Sequence, residues 1–203
     1  MWVFVSIFRR RIWQDRLYTF RNFYKRKRFA LIDLAFGLIA LLINPYRSSR
    51  KFLEKEGAEE IYAYGETPYR TYERIAKECQ IGPEDTWIEL GSGRGKGCFW
   101  LSEFTGCRVI GIEKMGKFVF FARLIQRFFR VSNVTFEKND FERADLKRGT
   151  ILYSYGLYPK ENIPEGVRIL TTGEPLEGYT ILKRFWIRFP WGRTTAFLQQ
   201  KKR

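Results

Sequence analysis

Histidine is absent from the 203 residues. Without an imidazole, Ser-His-Asp triads, Cys-His pairs, histidine metal sites and imidazole general bases are all excluded. Cysteine is scarce too: Cys79, Cys98 and Cys107 form an odd set with no C-x-x-C pair. That argues for a reducing compartment, against a disulfide framework and against a zinc cluster, so no metal is expected. Acidic residues are scarce at one end only. Residues 1–51 hold 12 Lys/Arg against 2 acids, whereas residues 52–203 hold 25 against 20. Most of the +15 formal charge therefore belongs to an N-terminal extension. A chain 45% hydrophobic and 29% charged is globular rather than disordered, and no internal repeat or low-complexity segment interrupts it. The chemistry is left to carboxylates, tyrosines, backbone dipoles and a cofactor.

What is there begins with that extension. Residues 1–28 interleave Arg and Lys with Trp2, Phe4, Phe8, Trp13, Phe20, Phe23 and Tyr24, and end in Lys25-Arg26-Lys27-Arg28. Residues 29–43 are then almost wholly apolar, broken by Asp33 and stopped by Asn44-Pro45. Fifteen helical residues reach about 22 Å, short of the ~30 Å hydrocarbon core, and Asp33 at mid-bilayer would cost a few kcal/mol. The nine basic residues from Arg9 to Arg28 would hold the N-terminus in the cytoplasm, and a single span would carry residues 52–203 outside. A re-entrant or interfacial helix on an anionic membrane surface avoids that outcome. The alternative is a helix buried against the following domain. A signal peptide is disfavoured, because the apolar stretch comes late behind a long basic region; an organellar address stays open. The expected division is a membrane-associating extension, 1–51, and a catalytic domain, 52–203, on the cytoplasmic face of a membrane.

Within the domain, Thr86-Trp87-Ile88 leads into Glu89-Leu90-Gly91-Ser92-Gly93-Arg94-Gly95. An acid at a strand end followed by alternate glycines marks a nucleotide-type site, because glycine lets the chain turn sharply and a ligand approach closely. The dinucleotide fingerprint fails: its third glycine would fall at Lys96 or Cys98. A P-loop fails because Gly97, not Ser or Thr, follows Lys96. The remaining pattern, acid-x-G-x-G-x-G, resembles the loop of class I S-adenosylmethionine methyltransferases.

The surrounding pattern alternates. Thr67 is expected to cap a helix with Pro68 at its first position. Strands are expected at 107–113, 134–138, 150–155 and 167–171. A helix is expected at 115–130, with Phe118, Phe121, Ala122, Ile125, Phe128 and Phe129 on one face. The tail, 179–189 and 193–200 around Pro190-Trp191-Gly192, predicts a hairpin. The fold is therefore α/β: a Rossmann-like, doubly wound, mostly parallel sheet with a C-terminal antiparallel hairpin, plus the helical extension. Ligands bind at the carboxyl ends of such strands. Glu113 there can accept ribose hydroxyls, and Asp140 can accept from an adenine amino group with Phe141 beside the ring.

From about Tyr62 to Thr172 the chain looks like a class I methyltransferase. More narrowly, Tyr64-Gly65-Glu66-Thr67, the glycine loop, Gly111-Ile112-Glu113-Lys114 and Asp140-Phe141 resemble the non-SET histone-lysine methyltransferases of the disruptor-of-telomeric-silencing type. They also resemble related membrane-anchored bacterial and mitochondrial protein-lysine methyltransferases. The resemblance implies S-adenosylmethionine as cofactor. It implies that Tyr64 and Thr67 fold over the methionine part, that Glu89 lies near its amino group, that Gly91 and Gly93 lie beneath it with Ser92 and Gly95 in the same loop, and that Lys96 lies at its edge. Where the histone enzymes carry an Asn-containing segment after strand four, this chain has Tyr153-Ser154-Tyr155-Gly156-Leu157-Tyr158-Pro159. Tyr153, Tyr155 and Tyr158 are either strand-end packing or an aromatic wall for an amine acceptor. Glu66 is the loop carboxylate available to orient that amine. N-methylation of a protein lysine at a membrane surface is the expected activity, with a small amphiphile (lipid headgroup or quinone precursor) as the alternative acceptor. Nucleic acid is disfavoured as a partner, since residues 52–203 carry only +5 and no Asn/Asp-Pro-Pro-aromatic segment follows strand four.

Overall fold

The computed structural model describes residues 2–60, 64–156 and 163–201, with side chains from residue 8 onward. Seven strands make one sheet: β1 (Thr86–Leu90), β2 (Arg108–Glu113), β3 (Val134–Lys138), β4 (Ile151–Ser154), β5 (Arg168–Thr172), β6 (Tyr179–Phe189) and β7 (Gly192–Lys201). Their order is β3-β2-β1-β4-β5-β7-β6. β1 to β5 are parallel, and β7 runs antiparallel between β5 and β6. The order reverses between β2 and β4, on either side of β1, which puts the switch point at the end of β1.

The period-2 alternation of the strands divides the core. Trp87, Val109, Ile151 and Leu170 face one side of the sheet, with the helices. Ile88, Leu90, Ile112, Leu152 and Ile169 face the other. The helical side holds α4 (Tyr69–Glu78), α5 (Lys96–Thr105) and α6 (Gly116–Phe128). Among the described residues, the far side is covered by two 3-10 turns, Phe141–Arg143 and Leu146–Arg148, and by the segment around Ile163 and Val167.

The extension folds as α1 (Trp2–Asn22), α2 (Lys27–Leu42) and α3 (Pro45–Lys55). Proline at 45 ends α2 and opens α3, where it needs no N–H and where the Asn44 side chain accepts from Arg47 N at 3.0 Å. α2 packs one face into the domain core. Phe29, Ile32 and Phe36 are buried there against Phe99, Tyr69 and Phe104, each burial worth about 1.5–3 kcal/mol. Its other face, Leu31, Leu34, Leu38, Leu41 and Leu42, is exposed. α1 lies on α4 and reaches the β6–β7 turn: Tyr18 Oη donates to Glu73 at 2.6 Å, and Arg11 donates to Pro190 O. Among the described residues no single helix is long and apolar enough to cross a membrane, while α2 and α3 would pass together but bend by 62°.

Two local expectations change. Thr67 does not cap α4; Pro68 holds the N-cap position, no side chain closes it, and Thr67 Oγ1 instead shares a 3.1 Å hydrogen bond with Tyr153 Oη. Phe128 does not join the buried face of α6. With Phe120 and Leu124 it forms an exposed stripe at four-residue spacing, while Phe118, Val119, Ala122 and Ile125 are buried.

Candidate cofactor and active site

A cleft of about 550 Å³ opens at the carboxyl ends of β1, β2 and β4. Its floor is the glycine loop. Gly93 sits at φ +55° and Gly95 at φ +82°, a left-handed region that side chains resist. A Cβ on Gly95 would lie 2.4 Å from the Phe136 ring, and one on Gly93 would touch the Tyr64 ring at 3.4 Å. The loop is thus approached closely by the Tyr64 ring above it and by the Phe136 ring of β3.

Tyr64 forms the roof. Its ring is wedged between Tyr46 of α3, at 5.3 Å, and Phe118 of α6, at 5.4 Å. Its hydroxyl donates to Glu66 at 2.8 Å, and burial beside that carboxylate raises its pKa. Glu66 in turn accepts from Arg94 Nε at 2.7 Å and lies 3.6 Å from Lys96 Nζ. Lys96 and Arg94 hold its carboxyl below the usual range against the opposing effect of burial. Glu66 is therefore engaged in closing the roof, which makes it a poor candidate for orienting an amine.

Glu113 closes β2 with both oxygens aimed at backbone amides: Oε2 accepts from Gly93 N at 2.8 Å and Oε1 from Met115 N at 2.7 Å. Each oxygen keeps a lone pair for a vicinal diol in the cleft. Burial raises the Glu113 pKa. Asp140 caps the turn that follows it, accepting from Glu142 N, and lies 3.6 Å from Lys114 Nζ; Lys114 also pairs with Glu56, the C-cap of α3, at 3.2 Å. Phe141 lines the same end of the cleft. Ser92 Oγ is buried with no hydrogen-bond partner among the described residues and faces Gly111 of β2.

The three strand-end acids are not level with one another. Glu89 pairs across β1–β2 with Gly111, two residues before Glu113. Its carboxyl turns into the core, where it accepts from Tyr72 Oη at 2.5 Å and from Cys98 Sγ at 3.5 Å. Desolvation pushes its pKa up to about 7. Glu89 lines the cleft from below rather than offering an open carboxylate.

Tyr153 is buried beside Trp87 and Tyr72 and lines the cleft with Tyr155. Tyr155 is partly exposed and packs on Phe189, which stacks on Trp191 with an interplanar angle of 3°. The aromatic surface beside the cleft thus draws on the β6–β7 hairpin, a contribution that separation of more than thirty residues hides in sequence. Tyr62, Tyr158 and Pro159 lie outside the described residues. Sequence reasoning also missed the α3 wall: Ser49, Phe52 and Leu53, with the C-cap Glu56, line the cleft. The i, i+3, i+4, i+7 spacing of these four residues was the available signal.

These features fit an adenosine-type ligand with an attached amino acid: a diol acceptor at Glu113, a carboxylate with an aromatic ring at Asp140–Phe141, a glycine floor and a tyrosine roof. The profile of the family described as histone methylation protein DOT1 matches residues 48–152. Among solved structures, the chain is similar to an RNA methyltransferase from Salinibacter ruber in complex with S-adenosyl-L-homocysteine. Identity is 21% over 68% of this chain and 95% of that one, with a TM-score of 0.58. It is similar to a mutant of MtNAS in complex with S-adenosylmethionine, at 13% identity over 86% and 78%, TM-score 0.57. A B. subtilis M1A22 tRNA methyltransferase, TrmK, matches at 10% identity over 66% of each chain, TM-score 0.55. At these identities the likeness is one of fold. No curated protein sequence matches the chain.

Proposed function

The chain belongs to the DOT1 histone methylation protein family, and from that premise we propose that it methylates the side-chain nitrogen of a protein lysine at a membrane surface, with S-adenosylmethionine as methyl donor. When bound, the cofactor supplies an electrophilic methyl group. Glu113 would hold its ribose, Asp140 and Phe141 its adenine, and Tyr64 would cover its methionine end above Gly91 and Gly93. Methyl transfer is an in-line displacement, so what this chain contributes is mainly alignment, an effect that can reach ~7–11 kcal/mol. No imidazole is present and the Glu66 oxygens are engaged. The acceptor amine must therefore lose its proton through its surroundings, and the apolar, aromatic lining at Tyr153 and Tyr155 favours the neutral form.

The observation that carries the membrane part is the exposed apolar surface of the helical extension. Trp13, Leu17 and Phe20 of α1 and the five exposed leucines of α2 belong to a segment rich in Lys and Arg. Apolar burial and attraction to anionic headgroups would act together there, and the chain would lie on the cytoplasmic face. The stripe Phe120, Leu124, Phe128 adds apolar area on the helical side of the sheet. The same surface favours a small amphiphile as the second acceptor class.

Purified protein and labelled cofactor, added to a membrane lysate that is then separated into protein, lipid and RNA, test the proposal. Label is expected in protein, on lysine after hydrolysis. It should be abolished by Gly93→Arg, whose side chain would fill the cleft under Tyr64. Label in the organic extract moves the acceptor to an amphiphile; label in RNA, or retained by Gly93→Arg, contradicts the proposal.

A further inference from the structure

Asp33 is the sole acid of α2, a helix that is wholly apolar from Phe29 onward apart from that residue and Gly37. Its position in the fold gives it a purpose distinct from solubility. The carboxylate points inward, away from the exposed leucines. Oδ2 accepts from Tyr24 Oη at 2.8 Å, Oδ1 accepts from Tyr69 Oη at 2.6 Å, and Oδ1 lies 3.5 Å from Lys96 Nζ. Lys96, the first residue of α5 after the glycine loop, also sits over the Tyr69 ring at 4.9 Å. It bridges to Glu66 Oε2 at 3.6 Å.

From Glu66 the contacts return to α2. Glu66 Oε1 accepts from Arg94, within the glycine loop, and from Tyr64, the roof. Arg94 is buried; its Nη1 donates to Phe36 O at 3.1 Å, and its guanidinium lies over the Phe36 ring at 5.6 Å. Phe36 stands three residues after Asp33, on the same helix face. The ring therefore runs Asp33, Lys96, Glu66, Arg94, Phe36, with two acids and two bases in balance. Partly buried charges are tolerated when they are paired and hydrogen-bonded in this way. Both cations belong to the segment 94–96 that floors the cleft, and Glu66 anchors its roof.

We propose that Asp33 is a positioning residue for the cofactor: through Lys96 it fixes Glu66, and with it Tyr64, over the glycine loop. α2 is thereby part of the site rather than only an anchor. It lies outside the residues matched by the family profile, and the inference rests on the cofactor assignment above. Asp33→Asn keeps an acceptor for a tyrosine hydroxyl but removes the charge that holds Lys96. Lys96→Met leaves both tyrosine bonds to Asp33 intact and removes the link to Glu66, together with the cation over the Tyr69 ring and at the cleft edge.

The test is calorimetric titration of S-adenosylhomocysteine into the full-length wild type, Asp33→Asn, Lys96→Met and the double variant, with ligand-free melting curves. Each single variant should weaken binding about tenfold, equivalent to about 1.4 kcal/mol, and raise the cofactor KM while kcat at saturating cofactor changes little. The double variant should be no weaker than Lys96→Met, since the two act in one chain of contacts. Unchanged affinity in Asp33→Asn with a lowered melting temperature would mean a merely structural role. Additive losses would mean that Asp33 does not act through Lys96. Either result overturns the proposal while leaving the cofactor assignment intact; a wild type that does not bind the ligand removes both.

Discussion

Glu89 and Glu113 project from the same side of the sheet, yet their surroundings give them different work. Glu113 meets backbone amides at the rim; Glu89 meets a tyrosine hydroxyl and a thiol in the core. The folded pKa of Glu89, about 7, stands above a glutamate's ordinary 4.5. A carboxyl raised in this way contributes stability that is fully present below about pH 4.5 and lost as pH rises through 7. The shift corresponds to about 3 kcal/mol. Glu89→Gln should therefore be relatively more stable than wild type above neutrality than at pH 5, measured by denaturant unfolding of the ligand-free protein across that range; parallel curves would contradict this. The positions of Glu113 and Asp140 at the cleft were legible from strand ends alone. The inward turn of Glu89 was not, because it depends on Tyr72 in a different helix, and the engagement of Glu66 was hidden in the same way by Arg94, 28 residues away.

Strands were the most legible elements, with β3 and β6 matching their expected limits and the others lying within two residues of theirs, because alternation and β-branched residues mark them directly. α2 was less legible. Its apolar residues run all round the helix, so composition could not separate the buried face from the exposed one; only the neighbours supplied by α4 and α5 do so. The two faces should respond differently to substitution. Phe36→Ala, in the core, should destabilise the protein by about 3–5 kcal/mol. Leu41→Ser with Leu42→Ser should change stability by no more than about 0.5 kcal/mol per site yet weaken sedimentation with anionic vesicles several-fold. Thermal melts and vesicle co-sedimentation check both. Equal destabilisation by the two changes would mean that the outer face is not an open surface.

At the scale of the molecule, the mostly parallel sheet and its antiparallel hairpin follow from alternating elements and a terminal hairpin pattern, and both were expected. Packing of residues 29–43 on the domain was the alternative reading, and it is the one α2 follows with its buried face; the reach of the extension into the cleft was not expected. α3 walls the cleft and braces Tyr64 through Tyr46, and α2 reaches Arg94 and Lys96, so residues on both sides of position 51 build one site. Charge asymmetry separated the two segments in sequence; packing unites them. The central claim is that this joint cleft binds S-adenosylmethionine, and a crystal structure of the full chain with S-adenosylhomocysteine tests it most directly. The account predicts ribose hydroxyls on Glu113, adenine between Asp140 and Phe141, and the amino-acid end beneath Tyr64 with α3 alongside. A ligand seated elsewhere, or one held with α2 and α3 detached from the glycine loop, would contradict it.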